Sequence, residues 1–260
     1  MECVSFFKEE FTSSIAKCNN SSTLGPDKLS WRHLRCIVKD KSCLKRIINI
    51  VDVCFELDYW PSHFKVSTSI IIPKYNKESY DSPKSFKPIV LLNTIEKLIE
   101  IVIGDRLQFH SILNNFIHPS QLGGLKQRSM SDADVALTHF ICSGWVKHKM
   151  MSTLAFDIAQ FFLLLNHWIL PLIFRKAEFD SKVKWFFSNY LVGRKTQYFW
   201  NNFSSAFFNV DVGVGQDSSL SPILSTLYLA PILYILEKHL KILKIPISIL
   251  SFIDNGLLIA

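Results

Sequence analysis

The chain has 260 residues, 48% hydrophobic and 20% charged, with 29 Lys and Arg against 22 Asp and Glu for a net charge of +7. That balance excludes a disordered chain and supplies apolar side chains for a sizeable core, as one large domain or a domain with an extension. Its positive charge permits a polyanionic partner without requiring one. The six Cys are scattered without CxxC or zinc-finger spacing, which fits reduced thiols in an intracellular compartment, nucleus or cytoplasm. The start, MECVSFFKEE, is acidic and lacks the apolar core of a secretion signal.

Residues 1–64 read as a helical extension. Phe6, Phe7 and Phe11 recur at helical spacing, as do Ile47, Ile48, Val51 and Phe55, with a turn at Gly25-Pro26-Asp27 between them. Trp60-Pro61 ends the last of these helices. The β-branched run VSTSIIIP predicts a strand over 66–73, followed by a polar loop, a second strand over 86–92 and a helix over 94–107. Gly123-Gly124 predicts a break. Ser131 and Asp134 read as a capping box for a helix running to about 149. Further on, a strand over 153–156 ends on Asp157, and a helix is expected over 161–176 despite Pro171. A hairpin over 198–212 turns at Asn201-Asn202. The charge-free stretch 218–236 carries Pro222 and Pro231 and reads as a buried core helix with no membrane partner. A strand over 247–253 precedes a turn at Asp254-Asn255 and a last apolar strand.

Asp157 and Asp254 each sit in an apolar setting, where an unpaired buried carboxylate costs several kcal/mol. Either acid alone reads as a strand-end or turn residue. Two such acids can also meet and bind Mg²⁺ through oxygen. Between them, GVGQDSSLSP places glycines before a helix start, where backbone N–H groups favour anions, although a flexible loop explains any one glycine equally well.

In this order, LAFDIAQFF, GVGQDSSLSP and SFIDNGLL resemble motifs A, B and C of reverse transcriptases, especially those of non-LTR (LINE-type) retrotransposons of fungal type. LGPDKLSWRHL is similar to the block before the fingers. IIIPKYNKESYDSPKSFKPIVLLNTIEKLIEIVIGDRL resembles the fingers block, and PSQLGGLKQRSMSDA the block after it. The resemblance runs over about residues 24–260.

It implies an α+β right-hand polymerase with fingers over about 65–150 and a palm over about 151–260, the palm incomplete and the thumb absent. It further implies an RNA-directed DNA polymerase that extends a DNA primer on an RNA template with deoxynucleoside triphosphates. Asp157 and Asp254 match the catalytic, metal-binding aspartates for two Mg²⁺ ions, with Mn²⁺ as a substitute. Phe162 matches the steric gate against a ribose 2′-hydroxyl, its other reading being a core Phe beside Phe161. Gln216 matches the motif B glutamine near the template–nucleotide pair. Lys74 and Lys87 match lysines that contact the triphosphate and template backbone, their other reading being a solvated loop. Five positions depart from the family pattern. Asn255 stands for the second motif C aspartate and Asp217 for the glycine after the glutamine. Leu163-Leu164 replaces Pro and a small residue, and Lys87 replaces an arginine. An impaired copy is therefore expected; the alternative is an inactive remnant that at most binds nucleic acid.

Overall fold

The computed structural model describes residues 5–177, 179–216, 218–244 and 246–260. In chain order come α1 (Lys8–Lys17), α2 (Trp31–Ile37), α3 (Lys41–Glu56), β1 (Val66–Pro73), β2 (Phe86–Leu91), α4 (Thr94–Leu113) and α5 (Met130–Val146). Then follow β3 (Thr153–Asp157), α6 (Phe161–Leu164), α7 (Ile169–Lys176), α8 (Ser181–Leu191), β4 (Arg194–Trp200), β5 (Phe203–Val210), α9 (Ser221–Ile242), β6 (Ser248–Phe252) and β7 (Asn255–Ile259).

Several expectations shift. The capping box of α5 is Ser129 with Asp132, two residues before the expected pair: Asp132 Oδ2 accepts from Ser129 N–H at 2.6 Å. The helix expected over 161–176 is two helices. Leu165 leaves helical geometry at ψ 116°, and the Asn166 side chain accepts from Trp168 N–H at 2.8 Å, an Asx turn that starts the chain afresh. Pro171 then falls in the first turn of α7, where its missing N–H has no intrahelical partner to lose. α8 was not anticipated, although Val183, Phe186, Phe187 and Tyr190 are buried at helical spacing behind an Asp180 cap.

The chain forms two compact units that interleave in sequence. One gathers the chain up to Arg106 with Asn166–Ser221, and the other gathers Leu107–Leu165 with Pro222–Ala260. The linear division at residues 64/65 and 150/151 therefore differs from the grouping by contact.

The first unit carries a four-stranded sheet in the order β2-β1-β4-β5, with β1 and β4 parallel and the other pairs antiparallel. The β4–β5 turn is Asn201-Asn202, with Asn201 at φ 51°, a conformation asparagine tolerates. The helical core of this unit is aromatic. Phe186 stacks on Phe55 at 4.0 Å between centroids and meets Trp60 edge-on at 5.6 Å. Phe55 in turn touches Phe6, over which the Arg106 guanidinium lies at 3.9 Å. Arg106 also holds Glu10 with two bonds of 2.6 and 2.7 Å, so the N-terminal helices belong to this core. The Gly-Pro-Asp turn has a structural task here. Asp27 Oδ2 accepts the Thr94 N–H at 2.6 Å and caps α4. A Cβ on Gly25 would lie 2.0 Å from the Leu92 carbonyl oxygen, so only glycine fits that approach.

A polar seam crosses the same core. Arg194 Nη2 donates to Glu96 Oε1 at 3.1 Å, and Tyr190 OH donates to Glu100 Oε1 at 2.6 Å. Both glutamates are fully buried. Burial, and then the nearby Glu100 charge, push the Glu96 carboxyl up to about 8. Burial also raises Glu100.

The second unit has a three-stranded antiparallel sheet in the order β3-β7-β6. β7 is central, paired with β3 on one side and β6 on the other. α9 is the one helix among the described residues long and apolar enough to cross a membrane by length and composition. Its Leu229 and Leu233 are buried in one cluster with Phe161 and Ile249 of this unit.

Glu96 binds its proton more tightly folded than unfolded, so it favours the fold at low pH and loses that contribution as pH rises from about 4.5 through about 8. Melting temperature is expected to fall across that window. Glu96→Gln should flatten the fall, because Arg194 keeps Glu100 as its counter-ion. Thermal melts between pH 5 and pH 8.5 check this.

Candidate active site

Asp157 is the last residue of β3 and lies directly opposite Asn255, the first residue of β7. Cross-strand partners of this kind stand about 4.5–5.5 Å apart at Cα. The ladder continues one step past the strand end, where Ile158 N–H donates to the Asp254 carbonyl at 2.9 Å. Asp254 occupies the two-residue turn between β6 and β7 with Ile253, one residue earlier than the expected Asp254-Asn255 turn. Ile253 has φ 58°, strained for a β-branched residue at a cost of about 1–3 kcal/mol. Asn255 Nδ2 donates to Asp254 Oδ1 at 3.0 Å. The hairpin thus brings Asp157, Asp254 and Asn255 together at one end of the sheet, with Asp157 exposed and Asp254 half-buried.

Two glycines make this packing possible. Phe156 lies across Gly256, where a Cβ would fall 2.1 Å from the ring. A Cβ on Gly123 would fall 2.6–2.8 Å from the backbone of Phe252 and Ile253. The segment before Gly123 pairs with β6: Leu122 N–H donates to the Ser251 carbonyl at 2.7 Å, and Ser251 N–H to the Ser120 carbonyl at 2.9 Å. Gly123 therefore marks a close approach of backbones, not merely a break in the chain.

Gln160, at φ 57°, turns the chain from β3 into α6. Of the two phenylalanines that follow, Phe161 is buried against Leu229, Leu233 and Ile249, whereas Phe162 stays half-buried. The core reading attaches to Phe161.

Lys74, Lys87 and Gln216 belong to the first unit. Lys87 lies opposite Ile72 on the β1–β2 ribbon, and Lys74 follows two residues after Ile72, so side-chain alternation puts both on one face. Both are exposed. Lys74 N–H donates to Ser85 O and Tyr80 OH to Lys74 O, each at 2.8 Å, which closes the loop between them. Gln216 Oε1 is buried and has no hydrogen-bond partner among the described residues. Asp217 lies outside the described residues. The loop around Gln216 is held by groups that sequence reasoning missed. His167 Nε2 contacts the Gly213 carbonyl at 2.6 Å, and burial lowers its proton affinity. Glu100 accepts from Ser218 Oγ at 2.7 Å and from Ser219 N–H at 3.0 Å. A carboxylate in the apolar run IEKLIEIVI was the available signal for Glu100. His167 had no comparable signal.

Among the described residues no cluster of three or more His, Cys, Asp or Glu could hold a metal. Two carboxylates and an amide oxygen are nevertheless a hard donor set suited to Mg²⁺, which commonly takes one or two carboxylates and completes its shell with water and phosphate.

A family model described as reverse transcriptase (RNA-dependent DNA polymerase) matches residues 72–260. A Pol polyprotein from the type-1 retrotransposable element R1 of Bradysia coprophila is 24% identical over 191 residues, 73% of this chain and 18% of that protein. A probable RNA-directed DNA polymerase from the X-element transposon of Drosophila melanogaster is 24% identical over 222 residues, 84% of this chain and 24% of that protein. The chain therefore spans a quarter or less of the length of these curated relatives. Among solved structures, telomerase from Candida albicans in complex with a fragment of telomeric RNA aligns with a TM-score of 0.51 at 14% identity, covering 78% of this chain and 39% of that one. At that identity the likeness concerns the fold alone, an α+β reverse-transcriptase fold.

Gly123→Ala forces a Cβ into the backbone of the β6–β7 turn. The expected cost is about 1–3 kcal/mol, as for other overpacked sites, read as a lower denaturation midpoint at an unchanged slope.

Proposed function

This chain belongs to the reverse transcriptase (RNA-dependent DNA polymerase) family, and we propose that it acts as an RNA-directed DNA polymerase domain of a non-LTR retrotransposon whose activity Asn255 weakens. The observation that carries the reading is the placement of Asp157 beside the Asp254 turn by the β3–β7 register. In this reading the β3-β7-β6 sheet is palm and the β1–β2 ribbon is fingers.

Reverse transcriptases generally use divalent metals. Here Asp157 and Asp254 would hold two Mg²⁺ ions, or Mn²⁺ in their place. Such ions, when bound, acidify a primer 3′-hydroxyl and offset phosphate charge. Asn255 is the weak point. It brings one negative charge fewer than a second aspartate, and its amide N–H occupies Asp254 Oδ1, an oxygen wanted for metal. Lys74 and Lys87 set positive charge toward the triphosphate and template backbone. Phe162, released from the core that Phe161 fills, is free to act against a ribose 2′-hydroxyl. Gln216, whose amide oxygen has no partner among the described residues, stands near the template–nucleotide pair in this reading. The partners are an RNA template, a DNA primer and deoxynucleoside triphosphates, in the nucleus or cytoplasm. α9 serves as a core helix and not as a membrane span.

Asn255 also favours a second reading, a remnant that binds nucleic acid without catalysis. Extension of a DNA primer on an RNA template with Mg²⁺ or Mn²⁺ decides between them. Weak extension is expected, abolished by Asp157→Ala and raised about tenfold by Asn255→Asp, the scale on which groups hydrogen-bonded to metal ligands act. Extension indifferent to Asp157→Ala refutes the polymerase assignment. Silence from both the chain and Asn255→Asp, with primer–template binding retained, selects the remnant.

A further inference from the structure

A cavity of about 400 Å³ lies in the first unit, walled by Tyr80, Phe86, Tyr198 and Trp200, with Asp81 as the single charged residue among its lining. Strand alternation fixes its side of the sheet. Phe86 and Pro88 of β2 line it, so Lys87 between them points to the opposite face. The cavity is therefore separate from the face assigned to the triphosphate.

Its rings form walls and not a slot. Phe86 meets Tyr80 at 63° and 5.9 Å, and Trp200 at 62° and 5.4 Å. Tyr80 is anchored by its hydroxyl bond to the Lys74 carbonyl, while Tyr80 and Trp200 remain 45% and 50% exposed. A flat nucleobase stacks on one ring plane and cannot lie parallel to two planes inclined by about 60°. A compact cation is attracted to several ring faces at once. Asp81 adds charge complementarity for a cation and repels a phosphate. An unmodified ammonium is strongly hydrated and loses that hydration in an apolar cavity. Methylation weakens the hydration and keeps the charge.

We propose that this cavity is an aromatic cage for a methylated ammonium group, namely the side chain of a trimethylated lysine in a partner protein. The site does not depend on the polymerase reading. Phosphocholine presents the same cation, but its phosphate follows close behind and meets Asp81 unfavourably.

The test titrates the full chain with a short peptide containing trimethyl-lysine, the same peptide with unmodified lysine, soluble phosphocholine and a single-stranded RNA oligonucleotide. The trimethylated peptide should bind saturably and about tenfold more tightly than the unmodified one. Trp200→Ala should abolish that preference. Asp81 is exposed and its carboxylate accepts from Ser79 Oγ at 2.6 Å, so Asp81→Asn and Asp81→Lys are expected to fold and should weaken and eliminate binding in turn. Circular dichroism checks folding of each variant. Equal affinity for the two peptides, no saturation, or indifference to Asp81→Lys overturns the proposal. Tighter binding of phosphocholine, or of RNA in a Trp200-dependent way, overturns it in favour of that ligand.

Discussion

The short antiparallel ladder between β3 and β7 is the constraint on which the proposed site depends. Asp157 and Asp254 are nearly a hundred residues apart in sequence, and neither acid is informative alone. The register Asp157↔Asn255, extended by the Ile158–Asp254 bond, makes them neighbours. A slip of one residue would send Asp157 to the other face of the sheet. The register is pinned at both ends. Ser152 and Ala260 exchange two backbone bonds of 2.9 Å at one end. The Phe156 ring over Gly256 accepts no side chain in its place near the other.

The turn that carries Asp254 is strained at Ile253, and strain persists only where its surroundings overdetermine it. The Ser120–Gly123 segment supplies that support by pairing with β6 and pressing its glycine against the turn. The Asp254 carboxylate is thus held out by contacts with no chemistry of their own.

In the first unit the corresponding investment is electrostatic. Buried Arg194 pairs with buried Glu96, its charge also reaches Glu100, and Glu100 accepts from Tyr190, Ser218 and Ser219. These bonds tie Ser218 and Ser219 to the buried network through Glu100. One set of contacts therefore serves both stability and the placement of a motif.

Local signals carried much of the fold. The β-branched run over β1, the apolar spacing of α3 and α9 and the Asn-Asn turn of β4–β5 are legible because propensity and periodicity act over a few residues. The order of the three motifs, with Asn255 departing from its pattern, was likewise readable from the chain alone. What neighbours decide was not readable. The split between α6 and α7 follows from the Asn166 turn, and the central position of β7 follows from pairing with β3, Asp157's strand. The division of labour between Phe161 and Phe162 needed α9 and β6 to show which ring fills the core. Glycines at 25, 123 and 256 are ambiguous in a sequence, because a missing Cβ permits a turn and a close approach equally. Only the tertiary structure supplies the atoms that would collide.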